Sequence, residues 1–569
     1  MRIALLQCNP VVGDVVGNAR RIREAVLRAA HDGADLCVTP ELAICGYPPR
    51  DLLLRENFAQ ACWIALEELA RQLADTGENG FAAPAVLVGT PVRNPHPVGN
   101  PVHNSAVLLE GGSVTVVSHK TLLPTYDVFD ERRYFEPGKG CGRVVVAGKR
   151  VGVTICEDVW NDKHFWKSHR YYDTDPVADL MDGEVDILVN LSASPFSLGK
   201  QSVRERMLAS LAVRHGVPVA YANQVGGNDD LVFAGKSVVF DAAGKLVARG
   251  QGFSEDVVLA DPFAGTGTVQ ADDPAPEAQA WQALVLGTRD YVRKCGFSSV
   301  VLGLSGGIDS ALTAAIAAEA LGPENVLGVL MPSPFSSRGS VDDSLELASR
   351  LGIRTRTIPI EPMMHAFEDA LAPVFQGRAR DVTEENIQSR VRGNLLMAIS
   401  NKLGAMLLTT GNKSELSVGY CTIYGDMAGG LAVISDVPKT LVWSISRWLN
   451  TQEGSERIPQ VIIDKVPSAE LRPDQKDSDS LPEYDVLDAI LKAHVEGRQC
   501  RASLLAAGFA VQDVERVLHL VRISEFKRRQ APPGLKITDT AFGTGWRMPV
   551  AARVNLPEDT GQAEDAGQA

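Results

Sequence analysis

The stretch VVLGLSGGIDSALTAAIAAEAL, Val300 to Leu321, constrains the fold more than any other. A β-branched apolar run climbs into two glycines; a carboxylate and a hydroxyl follow, and then an alanine-rich helix former. A strand passing through glycines into a helix predicts a βα unit of an open α/β sheet, at the place where such sheets bind ligands. Gly306 and Gly307 let the backbone approach an anion, and the free N–H groups opening the helix hold it. The turn lacks the lysine of a Walker A loop; Ser305, Asp309 and Ser310 take the polar positions instead. Asp309 would repel a phosphate unless a divalent cation lay between them, so Mg2+ is expected here.

At 569 residues the chain exceeds what one core supports, which predicts two domains. Residues 1–254 alternate strand-like and helix-like segments, with hairpins at Gly111–Gly112 and at Gly244, so their sheet should not be purely parallel. Residues 255–280 are small, acidic and proline-bearing and read as a linker. Residues 281–548 alternate long helices with short apolar strands, the pattern of a doubly wound α/β domain. The tail 549–569 has little to bury and is expected to be disordered.

Hydrophobic content of 45% and charged content of 22% describe a soluble globular protein. A formal charge of −14 disfavours duplex nucleic acid as partner, yet permits an anionic small substrate in a locally basic cleft. Uncharged apolar runs fall short of the roughly 18 residues that span a bilayer, and MRIALLQCNP is too weakly apolar for a secretory signal. Nine scattered cysteines without a CxxC pair argue against a disulfide framework or structural zinc, and predict a reducing cytoplasm.

In its setting SGGIDS resembles the PP-loop of the ATP pyrophosphatases, which adenylate a carboxylate and release pyrophosphate. TTGNKSELSVGYCTIYGDMAGGLAVISDVPKT, PSAELRPDQKDSDSLPEYDVLD and EFKRRQAPPG look like NAD synthetase over nearly the whole second half. The resemblance implies an ATP cradle from Gly303 and Leu304 through Ser305, Gly306, Gly307, Ile308, Asp309 and Ser310. Thr410 and Lys439 would sit by the phosphates, while Met331 and the turn Ser336–Arg338 would border the adenosine. Glu415 would join Asp309 as a magnesium carboxylate. Arg390 and Asn394, with Glu415, Lys465, Asp477 and Lys527, would hold deamido-NAD. GTGWRMP departs from the expected pattern by lacking a second basic residue beside Arg547.

In the first half three strand ends carry a reactive type: Glu41 after DLCVTP, Lys120 after VTVVSH and Cys156 after VGVTI. The charged pair Glu157–Asp158 makes the end at Cys156 a polar, accessible place by expectation. Together the three suffice for amide hydrolysis: the thiolate attacks, Lys120 stabilises thiolate and oxyanion, and Glu41 shuttles the proton. A serine-histidine triad does not fit this half: G-x-S-x-G is missing from residues 1–254, and strand alternation turns His119 away from its neighbour Lys120. PELAICGYPPRDLL, SHKTLLPTYDVFDERRYFEPG and VGVTICEDVW resemble the nitrilase superfamily, which implies a four-layer αββα sandwich and a Glu-Lys-Cys triad. More narrowly they look like the glutaminase domain of glutamine-dependent NAD synthetases. Tyr47, Tyr126, Glu157, Ser194 and Lys200 would then grip glutamine, and Glu131 could assist the triad.

The halves explain each other. An adenylated nicotinate carboxylate needs neutral ammonia, and free ammonia at pH 7 is nearly all ammonium, so a glutaminase on the same chain with a protected passage supplies it. The expected partners are small molecules (ATP, deamido-NAD and glutamine), and the resemblance implies a homo-oligomer. Two rival readings stand: a related amidotransferase with another carboxylate acceptor, and an ammonia-dependent synthetase whose nitrilase-like half only assembles.

Overall fold

A computed structural model describes residues 1–75, 83–167, 170–452, 456–473 and 475–553. The chain divides after Pro274 into two compact units.

The first unit is built on two mixed sheets. In the seven-stranded sheet, Ile3–Gln7 and Leu36–Val38 are central and parallel; Ala85–Arg93, Val102–Glu110 and Ser113–His119 continue one edge, the last three as an antiparallel meander. The six-stranded sheet has Lys149–Ile155, Ile187–Ser192 and Val219–Asn223 parallel at its centre. Strand alternation sorts the apolar side chains into layers. Ile3 and Leu5 face the second sheet together with Val153, Ile155, Val189 and Ala220. Ala4 and Leu6 face outward, packing with Ile22 and Val26 of helix Val15–His31 and Leu66 and Leu69 of helix Phe58–Ala74. Helices Pro176–Met181 and Lys200–His215 cover the outer face of the six-stranded sheet. Each fully buried Leu, Ile or Val contributes about 1.5–3 kcal/mol. The result is the αββα sandwich. Strands apolar on both faces follow directly from this four-layer packing.

The stretch expected as a linker is different. Asp256–Asp261 is a strand, antiparallel to Ile3–Gln7, and Val258 and Ala260 belong to the core between the sheets. Its flanking acids hid a short alternating pattern. Thr268 and Gln270 bond to Arg249, and the next helix opens at Pro276, earlier than Trp281. The proline stands at the first helical position, where its missing N–H costs nothing.

The second unit carries one parallel sheet in the order Arg354–Thr357, Val326–Leu330, Val300–Gly303, Met406–Thr409, Leu431–Ala432. The chain starts in the middle, winds outward to one edge, then returns to build the other, so Val300–Gly303 and Met406–Thr409 flank the switch point. A separate helical core forms around Leu487, Val514 and Val517. Of the tail, residues 554–569 lie outside the described residues. Among the described residues no helix is long and apolar enough to cross a membrane.

Candidate functional site

In the first unit, two strand ends and the 3-10 turn Glu131–Arg133 meet at Lys120. Its Nζ donates to Glu41 Oε1 and to Glu131 Oε1, each at 2.7 Å. All three side chains are buried. Glu41 follows Leu36–Val38 and also accepts from Asn104 Nδ2 at 2.7 Å and from the Ala193 N–H at 3.2 Å. Asn104 accepts the Lys120 N–H through its own carbonyl, so one residue orients both members of the pair. The Tyr47 hydroxyl, expected at the glutamine, donates to Glu131 Oε1 at 2.9 Å and so belongs to this cluster.

Cys156 ends the central strand Lys149–Ile155 and opens the 3-10 turn Cys156–Val159 with φ at 43°. Its sulfur accepts from Ser192 Oγ at 3.3 Å, and Ser192 bonds Tyr221 at 2.6 Å. The expectation of an accessible strand end is corrected: Cys156 is 5% exposed. Burial and then the charge of Glu41 push its thiol well up, with Lys120 pulling the other way. Burial pushes the Glu131 carboxyl up to about 7, with Lys120 opposing and Glu41 adding to the rise.

Around Cys156, Glu157 accepts from the Tyr126 hydroxyl at 2.8 Å, and Tyr126 stacks on Tyr171 at 4.4 Å. Burial raises the Glu157 carboxyl, against the pull of Tyr126, Lys120 and Lys200. Ser194 is held by its N–H on Asn223 Oδ1 at 3.0 Å. Lys200 donates to Pro195 O at 3.0 Å and lies 5.6 Å from the Trp160 ring centre. His119 faces away as alternation requires, bonded to Ser105 at 2.7 Å and stacked on His103; burial and then His103 hold it down to about 4.

In the second unit, the turn after Val300–Gly303 is folded by its own hydroxyls. Ser310 Oγ accepts the Ser305 N–H at 3.3 Å and donates to Gly307 O at 2.9 Å, while Ser305 Oγ accepts the Gly307 N–H at 3.3 Å. Gly306 sits at φ +76°, and a Cβ there would come 2.4 Å from Ser340 O. Only glycine fits.

Two adjoining cavities open here. One is lined by Gly303, Leu304, Met331, Ser336, Thr410 and Arg392, and the other by the turn through Ser310 with Glu415, Lys439, Lys465 and Asp477. Lys439 Nζ lies 2.5 Å from Asp309 Oδ2 and 3.3 Å from Glu415 Oε1. Burial draws this ammonium down, but Asp309 and Glu415 outweigh it and hold it above the ordinary lysine range. Burial pushes the Glu415 carboxyl up to about 8, with Lys439 opposing and Asp309 adding to the rise. Asn412 caps the helix Lys413–Val418 and donates to Asp309 Oδ1 at 2.9 Å, linking the two carboxylates through one backbone turn.

Several expected residues stand apart. Arg390 is exposed and donates to Ile423 O at 3.3 Å, lining neither cavity. Asn394 borders a separate hollow with Met427 and Pro532. Lys527 donates to Gly419 O and Cys421 O at 2.7 and 2.8 Å. Arg338 projects into solvent, and Arg547 donates to Thr544 O.

Residues 2–262 match the carbon-nitrogen hydrolase family and residues 280–531 the NAD synthase family. A glutamine-dependent NAD(+) synthetase of Synechocystis sp. is 52% identical over 557 residues, 96% of this chain and 98% of its own. This chain belongs to the glutamine-dependent NAD(+) synthetases. Another such synthetase, from Thermotoga maritima, is 43% identical over 98% of this chain and 99% of its own. The solved glutamine-dependent NAD+ synthetase of Acinetobacter baumannii, in complex with adenosine diphosphate, is 39% identical, with a TM-score of 0.75 over 96% of this chain and 98% of that one.

Within this synthetase frame, sequence reasoning missed Asn104, Ser192, Asn412 and Arg392. Arg392 lines both cavities and donates Nε to Met331 O at 3.1 Å; burial draws it down to about 10.

Proposed function

We propose that the two centres divide one reaction: deamido-NAD, ATP, glutamine and water give NAD, AMP, diphosphate and glutamate. At the first centre Glu41 takes the Cys156 proton as the sulfur attacks the glutamine carboxamide. Lys120 stabilises the charge that develops on the carbonyl oxygen. The C–N bond breaks, Glu41 returns the proton to the leaving nitrogen, and ammonia departs, leaving a thioester on Cys156. Glu41 then takes a proton from water as its oxygen attacks the thioester carbon; the C–S bond breaks, glutamate leaves, and Glu41 returns the proton to the Cys156 sulfur. Tyr126, Glu157, Ser194 and Lys200 hold the amino acid end, and Glu131 keeps Lys120 charged and in place.

At the second centre the carboxylate of deamido-NAD attacks the α-phosphorus of ATP, diphosphate leaves, and ammonia displaces AMP from the adenylate. The Ser305–Ser310 turn binds phosphate through its N–H groups, with Thr410 and Lys439 beside it. Asp309 and Glu415 fit Mg2+: both carboxylates reach the Lys439 ammonium, burial and then Asp309 lift Glu415, and the pair would hold the ion beside the substrate phosphates. When bound, the ion neutralises phosphate charge and polarises the bond that breaks. Lys465 and Asp477 border the same cavity and hold the dinucleotide. Arg390, Asn394 and Lys527 enter this reading only as an outer surface for it.

Nine free cysteines support residence in a reducing cytoplasm, and the nitrilase-like sandwich supports a homo-oligomer. The observation that carries the assignment is the buried contact of Lys120 with Glu41 and Glu131, in the unit whose buried Cys156 sulfur accepts from Ser192. The test compares NAD formation from glutamine with that from ammonium chloride in Cys156→Ala. Loss of the first with survival of the second supports the division; survival of both refutes the triad.

A further inference from the structure

Asp158 is buried at 1% exposure in the turn that carries Cys156. Its Oδ1 accepts the N–H groups of Thr121 at 3.0 Å and Leu122 at 2.9 Å. Its Oδ2 accepts the N–H of Ile155 at 3.0 Å. The Cys141 thiol adds a weak fourth donor to Oδ2 at 3.8 Å. Thr121 and Leu122 follow Lys120 directly, and Ile155 directly precedes Cys156. One carboxylate thus brackets the two segments that carry the charged partner and the nucleophile.

The donors are chiefly main-chain, so the bracket fixes backbone position rather than a rotamer. Four donors match the roughly four lone-pair sites of an ionised carboxylate. Charge-assisted bonds of this kind are about twice as strong as neutral ones. Lys120 has its own side-chain partners in Glu41 and Glu131, and the segment after it is what Asp158 grips.

We propose that Asp158 is a positioning residue for glutamine hydrolysis, setting the spacing of Lys120 and Cys156 through Thr121, Leu122 and Ile155 without touching substrate. The proposal rests on the Glu41–Lys120–Cys156 reading above. It requires that loosening the bracket affect the chemistry more than substrate binding.

Asp158→Asn keeps the shape but replaces one acceptor oxygen with a donor. Its NH2 must then face either the Ile155 N–H or the Thr121 and Leu122 pair, and one end of the bracket is lost. A misplacement near 1 Å costs about 100-fold in rate. The full-length variant should therefore lose about 100-fold in kcat for glutamine, with KM within about threefold. Alkylation of Cys156 by iodoacetamide should slow, and its pH midpoint should move, because Lys120 helps set the charge of the sulfur. Cys141→Ala removes only the thiol donor and should stay within about twofold of the parent. Ammonia-driven synthesis reports on the second unit throughout.

Unchanged kcat in Asp158→Asn overturns the proposal. So does a lost rate with an unmoved alkylation midpoint, or loss of cooperative unfolding in the first unit, either of which makes Asp158 a residue of folding alone. Glutamine hydrolysis by Cys156→Ala would instead sink the triad reading itself, which separates the two failures.

Discussion

The Lys120 ammonium stands 2.7 Å from Glu41 Oε1, and neither side chain is exposed to water. Such a pair is worth most when broken. Lys120→Met leaves Glu41 and Glu131 buried against each other, and removing one partner of a buried pair costs about 3–5 kcal/mol. Thermal unfolding of the first unit should drop by on the order of 10 °C, and glutamine hydrolysis should vanish. Calorimetry beside a glutamate-release assay checks both.

Glu131 predicts a pH effect. Its folded carboxyl titrates near 7, raised by burial above the ordinary 4.5, so the folded state holds its proton across a window where the unfolded chain has lost it. Stability from this group is present below about 4.5 and fades as pH rises toward 7, then levels off. Melting curves from pH 4 to 8 should slope downward more steeply in the parent than in Glu131→Gln. Equal slopes would contradict the assignment.

The carboxylates around Lys439 predict a magnesium effect. Glu415→Gln should lower ammonia-driven synthesis at least about 100-fold, and excess MgCl2 should restore part of it if the ion simply binds more weakly. Added Mg2+ with ATP should raise the melting temperature of the parent and leave the variant nearly unmoved. A variant stabilised as strongly as the parent would exclude Glu415 as a ligand.

The two arginines of SRVRG give opposite predictions. Arg392→Ala should raise KM for ATP about tenfold, the loss of one charge-assisted contact of roughly 1.5 kcal/mol. Arg390→Ala, outside both cavities, should leave KM for ATP unchanged. Steady-state kinetics with ammonium chloride separates them from any effect at the first centre.

That arginine pair also shows where sequence reading stopped. Residues two apart on a helix point about 200° apart, so one of them had to face away. Burial of Gln388, Ser389, Val391 and Gly393 decides which, and that is a fact of packing. Glu41, Lys120 and Cys156 were legible because each follows an apolar run that ends abruptly in a reactive type. The Ser305–Ser310 turn was legible for the same reason. Ser192 was not: it is one more polar residue in a strand, brought to Cys156 from 36 positions away by the pairing of parallel strands. Asn104 and Asn412 were hidden likewise, since an amide carries no local mark of what it will bond. The strand Asp256–Asp261 was hidden by its acidic ends, which leave only a short alternating stretch between them.

Cys156 sits on a left-handed backbone, φ 43°, in a residue with a side chain. Such a conformation costs on the order of 1 kcal/mol or more. A glycine there would relax the turn and abolish glutamine-driven synthesis. Endurance and turnover are thus opposed at a single peptide, and heat-selected variants of this chain are best sought anywhere but there.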